Sequence, residues 1–293
     1  MKLLLTGAQG QVGQDIAALA RHSDWSLLAL DRAALDITDP QAVRAAVNAF
    51  RPTVTLNAAA FTAVDLAESQ AARAFAVNRD GAAHLAAACA AIACPLIHLS
   101  TDYVFDGSRA TPYTETDAAA PLGVYGQSKH DGEEAIRALW SRHLIVRVSW
   151  VFGLHGKNFV KTILRLAQEK ETLAVVQDQW GGPTPADAIA RTLLTLARRI
   201  ATQPAFQEWG TYHYCGAPAV SWHEFATFIV AQARQRIPLA VREIRGIPTA
   251  EYPTPARRPA NSRLDCQRIA TRLGIEPADW RQAVQTLIPR LLP

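Results

Sequence analysis

Met1-Lys-Leu-Leu-Leu-Thr-Gly-Ala-Gln-Gly-Gln-Val-Gly13 opens the chain. An apolar run of strand length is followed at once by Gly7, Gly10 and Gly13, and then by the helical spacing Ile16, Leu19, Ala20. This reads as strand, glycine turn, helix. Glycines let a backbone approach a pyrophosphate and aim helix N-terminal amides at it, where the dipole favours negative charge. The spacing Gly-x-x-Gly-x-x-Gly differs from Gly-x-Gly-x-x-Gly, and a glycine triplet alone could mark any tight turn. Its context is more specific. Ser26-Leu-Leu-Ala-Leu30 reads as a second strand ending at Asp31, where a carboxylate would meet the adenosine ribose of a dinucleotide.

Outward from this stretch the alternation continues. A helix over Pro40 to Phe50 precedes a strand over Thr53 to Asn57; the alanine-rich stretch Ala71 to Ala91 precedes a strand over Pro95 to Ser100; a helix over Tyr125 to Trp140 precedes a strand over Leu144 to Val148. Apolar strands without a two-residue period argue for a Rossmann-type α/β fold, a doubly wound parallel sheet covered by helices on both faces. Residues 1–150 are expected to form the dinucleotide-binding domain. Residues 151–293 are patterned less regularly, with helices expected over Asn158 to Gln168, Pro185 to Ile200, Ser221 to Gln235 and Asp279 to Leu291, and short strands near Leu173 to Val176 and Thr211 to Tyr214. Proline and glycine break the path at Gly181 to Pro185 and at Tyr252 to Pro259. A smaller α/β substrate-binding region is expected there, part of which returns to the sheet.

Composition narrows the class. A chain of 293 residues can bury a large core, and 49 % hydrophobic with 19 % charged residues excludes disorder as the main state. The net charge of +4 comes with no basic run longer than Arg198-Arg199 or Arg257-Arg258, so no nucleic-acid partner is expected. Cys89, Cys94, Cys215 and Cys266 lie far apart without Cys-x-x-Cys pairing, which indicates neither zinc nor a disulfide framework and suits a cytoplasmic protein. No apolar run approaches the ~18 residues of a membrane span.

Tyr125 and Lys129 stand four residues apart in Val124-Tyr-Gly-Gln-Ser-Lys129, which puts a phenol and an amine on one helix face. Such a pair usually means a packed ring beside a solvated charge. Here Asn57-Ala-Ala-Ala-Phe-Thr62 and Ser100-Thr-Asp-Tyr103 follow the third and fourth strands, facing the same crevice as the glycine turn. Thr101, Tyr125 and Lys129 converging there would make a carbonyl-reducing site: a hydroxyl holds the oxygen, a phenol donates its proton, an ammonium orients cofactor and tunes the phenol. The hydride must come from a nicotinamide, since no side chain carries one. His98, inside an apolar strand, reads as a buried, hydrogen-bonded histidine.

The glycine triplet, Asn57 to Ala60, Ser100-Thr-Asp-Tyr-Val-Phe105, Tyr125-x-x-x-Lys129, Arg147-x-Ser-Trp150 and Pro253-Thr-Pro-Ala-Arg-Arg-Pro259 with Asn261-Ser262 together resemble the extended short-chain dehydrogenase/reductases, essentially end to end. The glycine and Tyr/Lys motifs belong to the whole superfamily. Ser-Thr-Asp-Tyr-Val-Phe and Pro-Thr-Pro-Ala resemble its rhamnose-forming branch, which reduces the C4 ketone of dTDP-4-dehydro-L-rhamnose to dTDP-L-rhamnose.

The resemblance implies that Gly7, Gly10, Gln11, Val12 and Gly13 cradle the cofactor diphosphate, with Asp31 and Arg32 at its ribose and Asp36 and Ile37 beside the adenine. Ala60, Phe61, Thr62 and Leu99 would line the nicotinamide side, and Tyr125 and Lys129 would complete it. Thr101, Asp102, Trp150, Arg258 and Asn261 would contact the nucleotide sugar. Each has a plainer counterpart: Asp31 and Asp36 could cap turns, Trp150 could be core, and Arg257, Arg258 and Asn261 could shape a loop. Asp31 suits a free 2′-hydroxyl and Arg32 a 2′-phosphate, so NADPH and NADH are both expected. Some relatives dimerise through magnesium held by glutamates; the counterparts here are the shorter Asp15 and Asp187 with no third carboxylate placed, so no metal ligand is assigned and a monomer or homodimer is expected. Two other readings remain open, another nucleotide-sugar reductase, epimerase or dehydratase of the superfamily and a non-catalytic regulatory subunit with this fold.

Overall fold

The computed structural model describes residues 1–292, so that Pro293, the end of the expected C-terminal region, lies outside the described residues. Six strands form one parallel sheet: β1 (Lys2–Thr6), β2 (Ser26–Leu30), β3 (Val54–Asn57), β4 (Leu96–Thr101), β5 (His143–Val148) and, from the second half of the chain, Gly210–His213. From one edge the order is β2, β1, β3, β4, β5, then the late strand. The chain therefore winds one way from β1 to β2 and the other way from β3 onward. The switch lies between β1 and β3, beyond whose carboxyl ends ligands bind in such folds. The apolar runs explain the layering: Leu3, Leu4, Leu5, Val54, Leu56 and Ile97 are fully buried, as strands covered on both faces must be.

The glycine turn is shaped by close approach. Gly7 has φ of 75°, where a side chain is strained, and a Cβ on Gly13 would stand 2.1 Å from the Gly7 carbonyl oxygen. Only hydrogen at both positions lets α1 (Gln11–Ala20) start directly against the end of β1. Asp39 caps α2 (Pro40–Phe50), accepting from the Gln41 and Ala42 amides, with Pro40 at the first helical position. After α3 (Val64–Ser69), the alanine-rich stretch divides into α4 (Ala71–Phe75), one π-helical turn over Ala76–Asp80, and α5 (Gly81–Ala91). That wider turn carries the buried Asn78. The Tyr125 helix is α6 (Val124–Leu139).

A second core gathers beside the sheet's carboxyl ends. Phe152, Ile163, Leu164, Phe225, Ile229, Trp280 and Val284 pack together from α7 (Phe159–Glu169), α9 (Trp222–Arg234), α11 (Trp280–Leu291) and the short strand β6 (Val151–Phe152). Here β7 (Thr172–Val176) is followed by the two-residue β8 (Trp180–Gly181) and β9 (Thr184–Pro185), by α8 (Ala186–Thr202), which packs on α1, and by the late sheet strand, β10 (Gly210–His213). After the two-residue β11 (Val220–Ser221), β12 (Glu243–Ile247) pairs in parallel with β7, and α10 (Gln267–Leu273) precedes α11. Among the described residues no helix is long and apolar enough to cross a membrane.

Candidate active site

Six chain segments meet beyond the carboxyl ends of β1, β3, β4 and β5. The glycine turn, the loop after β3, the turn after β4, the first turns of α6, the stretch from Val148 to Val151 and the Gly156-Lys157 turn enclose a cleft of about 490 Å³. Gly10, Gln11, Val12 and Gly13 line one end, Ala60, Thr62 and Leu99 the middle, and Thr101, Asp102, Tyr125, Lys129 and Trp150 the other. A smaller cavity of about 190 Å³ adjoins it across Gly10 and Ala60, and is lined by Gly7, Asp31, Arg32, Asp36 and Ile37. Asp31 accepts the Ala34 amide at 2.9 Å. Asp36 accepts the Thr38 amide at 3.0 Å and its hydroxyl at 2.8 Å, bonds that hold its carboxyl below the usual range. Both aspartates thus fix their turn and border the cavity at once. A long cleft crossing a tight glycine turn at a helix N-terminus, acid and base at one end and hydroxyl, phenol and amine at the other, fits a nicotinamide dinucleotide.

At the far end of the cleft Tyr125 and Lys129 share one face of α6 as their spacing requires. Burial pushes the Tyr125 phenol up to about 12, the Thr101 hydroxyl opposing and Asp102 reinforcing, so the group is a proton carrier at neutral pH. Thr101 donates to Asp102 Oδ1 at 3.0 Å and accepts the Tyr103 amide at 3.2 Å. Asp102 is pushed up to about 6, chiefly by burial with the Ser262 and then the Thr101 hydroxyl opposing, and among the described residues its Oδ2 has no partner at hydrogen-bond geometry, Ser262 standing near the carboxyl without completing one. A buried carboxyl oxygen left open is a docking point for a polar ligand. Lys129 is 1 % exposed; its Nζ donates to the Leu99 carbonyl at 2.8 Å and lies 3.0 Å from His98 Nε2. Burial pulls the amine down to about 8, with Glu133 opposing.

Trp150 forms a second wall. Its φ of 47° is rare for a bulky residue, its Nε1 donates to Ser262 Oγ at 3.1 Å, and its ring stacks on Trp222. Beyond it a cavity of about 380 Å³ is lined by Trp222, Phe159, Gln179, Tyr252 and Arg258. Arg258 is also paired with Asp65 at 2.9 Å. The sequence reading overlooked Trp222, Phe159 and Gln179; the one local signal was the capping box Ser221 to Glu224, which starts α9 at Trp222.

Two expected contacts stand apart from the cleft. Asn261 is buried, and its amide donates to the Arg109 and Thr111 carbonyls at 2.7 and 2.9 Å, so it holds a loop. Phe61 packs with Ala67 and Ala74, while its backbone is clamped by Asn78, which accepts the Phe61 amide at 2.8 Å and donates to its carbonyl and to Ser128 Oγ. Asn78 is a further residue the sequence reading missed. Asp15 and Asp187 do approach one another, yet each faces a basic side chain, His155 at 3.6 Å and Arg191 at 3.3 Å. Among the described residues no group of three or more His, Cys, Asp or Glu is placed to hold a metal ion.

Comparison with known proteins places the chain in a family. The model of the family described as "RmlD substrate binding domain" matches residues 1–292. The chain is 44 % identical to a dTDP-4-dehydrorhamnose reductase of Aggregatibacter actinomycetemcomitans over 98 % of each protein. Among solved structures it resembles the dTDP-4-dehydrorhamnose reductase of Clostridium acetobutylicum, with a TM-score of 0.92, 34 % identity and 99 % of each chain covered. It also resembles that of Bacillus anthracis in complex with NADP, with a TM-score of 0.91, 32 % identity and 99 % of each chain covered.

Proposed function

Because this chain belongs to the RmlD family of dTDP-4-dehydrorhamnose reductases, we propose that Tyr125, Thr101 and Lys129 carry out its ketone reduction in the cleft described above. The enzyme reduces the C4 ketone of dTDP-4-dehydro-L-rhamnose to dTDP-L-rhamnose, the last step of dTDP-rhamnose synthesis, using NADPH or NADH. The observation that carries the reading is the joint lining of one cleft by the glycine turn, Thr101, Tyr125 and Lys129.

Gly10, Gln11, Val12 and Gly13 would hold the cofactor diphosphate, Asp31 and Arg32 the adenosine ribose, and Lys129 the nicotinamide ribose. When bound, the dihydronicotinamide supplies the hydride. Tyr125, kept protonated by its raised pKa, gives its proton to the ketone oxygen as negative charge develops there. Thr101 orients that oxygen, and the unpartnered Asp102 Oδ2 takes a sugar hydroxyl. Trp150 covers the sugar and excludes water. Residues 1–150 supply most of the cofactor side; the second core supplies the cavity behind Trp150 for the rest of the nucleotide. Four buried free cysteines support a cytoplasmic setting.

The test is loss of NADPH absorbance with enzymatically prepared dTDP-4-dehydro-L-rhamnose, run beside other keto-sugar nucleotides. Preferential turnover of the rhamnose precursor is expected. Turnover of none would overturn the reading.

A further inference from the structure

A buried chain of four polar side chains runs from β1 to α6. Thr6 Oγ1 donates to Asn57 Oδ1 at 2.7 Å, Asn57 Nδ2 lies 2.9 Å from His98 Nδ1, and His98 Nε2 lies 3.0 Å from Lys129 Nζ. Thr6, Asn57, His98 and Lys129 are each 1 % exposed, so no bulk water adjusts these bonds.

The chain has a direction, and one backbone amide sets it. Ala59 N–H points at the Asn57 side chain from 3.0 Å and needs an acceptor there, which makes that atom the amide oxygen. The Asn57 NH₂ therefore faces His98, and an amide NH₂ only donates. His98 Nδ1 must then be the bare nitrogen, and the ring of a neutral histidine carries its proton on Nε2. That N–H is aimed at Lys129 Nζ. An ammonium has no lone pair to receive it, whereas an amine does and still keeps hydrogens for the Leu99 carbonyl.

We propose that His98, oriented by Asn57, is a positioning residue that favours the neutral amine of Lys129 in the cofactor-free enzyme, so that protonation of Lys129 works against the chain's polarity and the pH at which Lys129 loses its proton sets the alkaline limit of reduction. The other groups facing Lys129 do not replace this control. Glu133, one turn along α6, is already engaged by Arg147 of β5 at 2.6 Å and by Arg137; His143 of β5 lies farther along the same face; Tyr125 and Asp102 border the cleft. Burial lowers the Lys129 amine in its own right, with Glu133 opposing, and the chain's polarity acts in the same direction as burial. Once protonated, Lys129 becomes the cation that favours a phenolate at Tyr125, so reduction should fade as pH rises and Lys129 loses its proton.

Asn57→Asp reverses the chain. A carboxylate in that place accepts from Thr6, from Ala59 and from His98 Nδ1–H, leaving Nε2 bare to accept from a Lys129 ammonium. The wild-type protein, ¹⁵N-labelled at histidine, should show His98 protonated on Nε2 alone. With ¹³C at the lysine ε-carbons, Lys129, assigned against Lys2, Lys157, Lys161 and Lys170, should titrate below the ordinary lysine value of about 10.4. In Asn57→Asp that titration should rise by about 1–3 pH units. His98→Gln, which can turn a carbonyl toward Nζ, is the second variant and should move it the same way. The alkaline limb of kcat/KM should follow in both. This last arm rests on the reductase reading; the spectra do not, so an inactive enzyme with the expected spectra would sink only that reading. A proton on His98 Nδ1, or a Lys129 titration unmoved in both variants, would overturn the proposal.

Discussion

The indole of Trp150 lies face to face with that of Trp222, ring centroids 3.4 Å apart and planes 5° from parallel. Trp150 reaches this position through a left-handed backbone, a conformation costing of order 1–3 kcal/mol that persists only where its surroundings hold it. Three things do so: the Trp222 ring, the Ser262 hydroxyl, and Gly181, where a Cβ would stand 2.4 Å from the Trp150 ring. One face of the pair borders the cleft with Tyr125 and the other the cavity with Phe159 and Arg258. The stack therefore joins the cleft to the cavity, and the strained backbone sits at their junction, where the proposed reading places the sugar.

Removing the outer partner should show this as a binding effect. An aromatic pair contributes about 0.5–1.5 kcal/mol beyond its buried area, so Trp222→Ala should raise KM for the sugar nucleotide by about 2–10-fold. The dissociation constant of the cofactor, measured by fluorescence titration, should stay unchanged because the glycine turn is untouched. A cofactor affinity that falls as much as the substrate's would place Trp222 in general packing instead.

Tyr125→Phe removes the proton and keeps the ring packed edge-on against Tyr103, at 5.5 Å and 72°. Single-turnover kinetics should slow by about 10²-fold or more, the scale of general-acid catalysis, with cofactor affinity nearly unchanged. Lys129→Ala should weaken both. Full activity in Tyr125→Phe would move the proton source to Asp102 or water.

The architecture of the first half was legible because parallel strands buried on both faces leave apolar runs such as Leu3-Leu4-Leu5 in β1 and Leu144-Ile145-Val146 in β5, each followed within a few residues by polar or glycine positions. Tyr125 and Lys129 were legible because the helix repeat alone puts them together. Asn78 was not. Alanine coats every face of the stretch that contains it, so nothing in the sequence marks the π-helical turn that aims its side chain at Phe61 and Ser128. Trp222 and Trp150 meet from distant parts of the chain, and such stacking leaves no local period. Strand β12, Glu-Ile-Arg-Gly-Ile, was hidden by its charges and glycine; it forms because β7 offers it a parallel edge.

Glu133 makes a prediction about stability. Its buried carboxylate accepts from Arg147 at 2.9 and 2.6 Å, from Ser100 at 2.6 Å and from Arg137 at 2.8 Å. Burial raises its pKa, but the Arg147 bonds and charge, then Arg137 and Ser100, outweigh that and bring it to about 2. Because the folded pKa lies below the ordinary 4.5, the unfolded chain binds the proton more readily. The stabilisation is complete above pH ~4.5 and is lost as pH falls toward ~2. Glu133→Gln should erase this acid-side slope and, by leaving Arg147 buried without a counter-charge, cost about 3–5 kcal/mol at neutral pH in urea unfolding. A slope that survives the substitution would assign it to other carboxylates.

Asp31 and Arg32 are adjacent residues lining the smaller cavity, and under the proposed reading they would decide cofactor choice. Among the described residues Arg32 is engaged only by Asp36, at 3.8 Å and with 67 % and 43 % of the two side chains exposed, a pair that contributes little to stability. It is free to turn toward a 2′-phosphate, and its removal should leave the fold intact. Hydrogen bonds to charged groups contribute about 1.5–3 kcal/mol, so Arg32→Ala should cut kcat/KM for NADPH by roughly 10-fold or more while sparing NADH. Asp31→Ala should do the reverse, since a carboxylate helps a ribose hydroxyl and repels a phosphate. Measuring both cofactors in both variants separates the effects, because a loss of local structure would lower the two together. Equal losses for NADPH and NADH in Arg32→Ala would mean that Arg32 does not read the 2′ position.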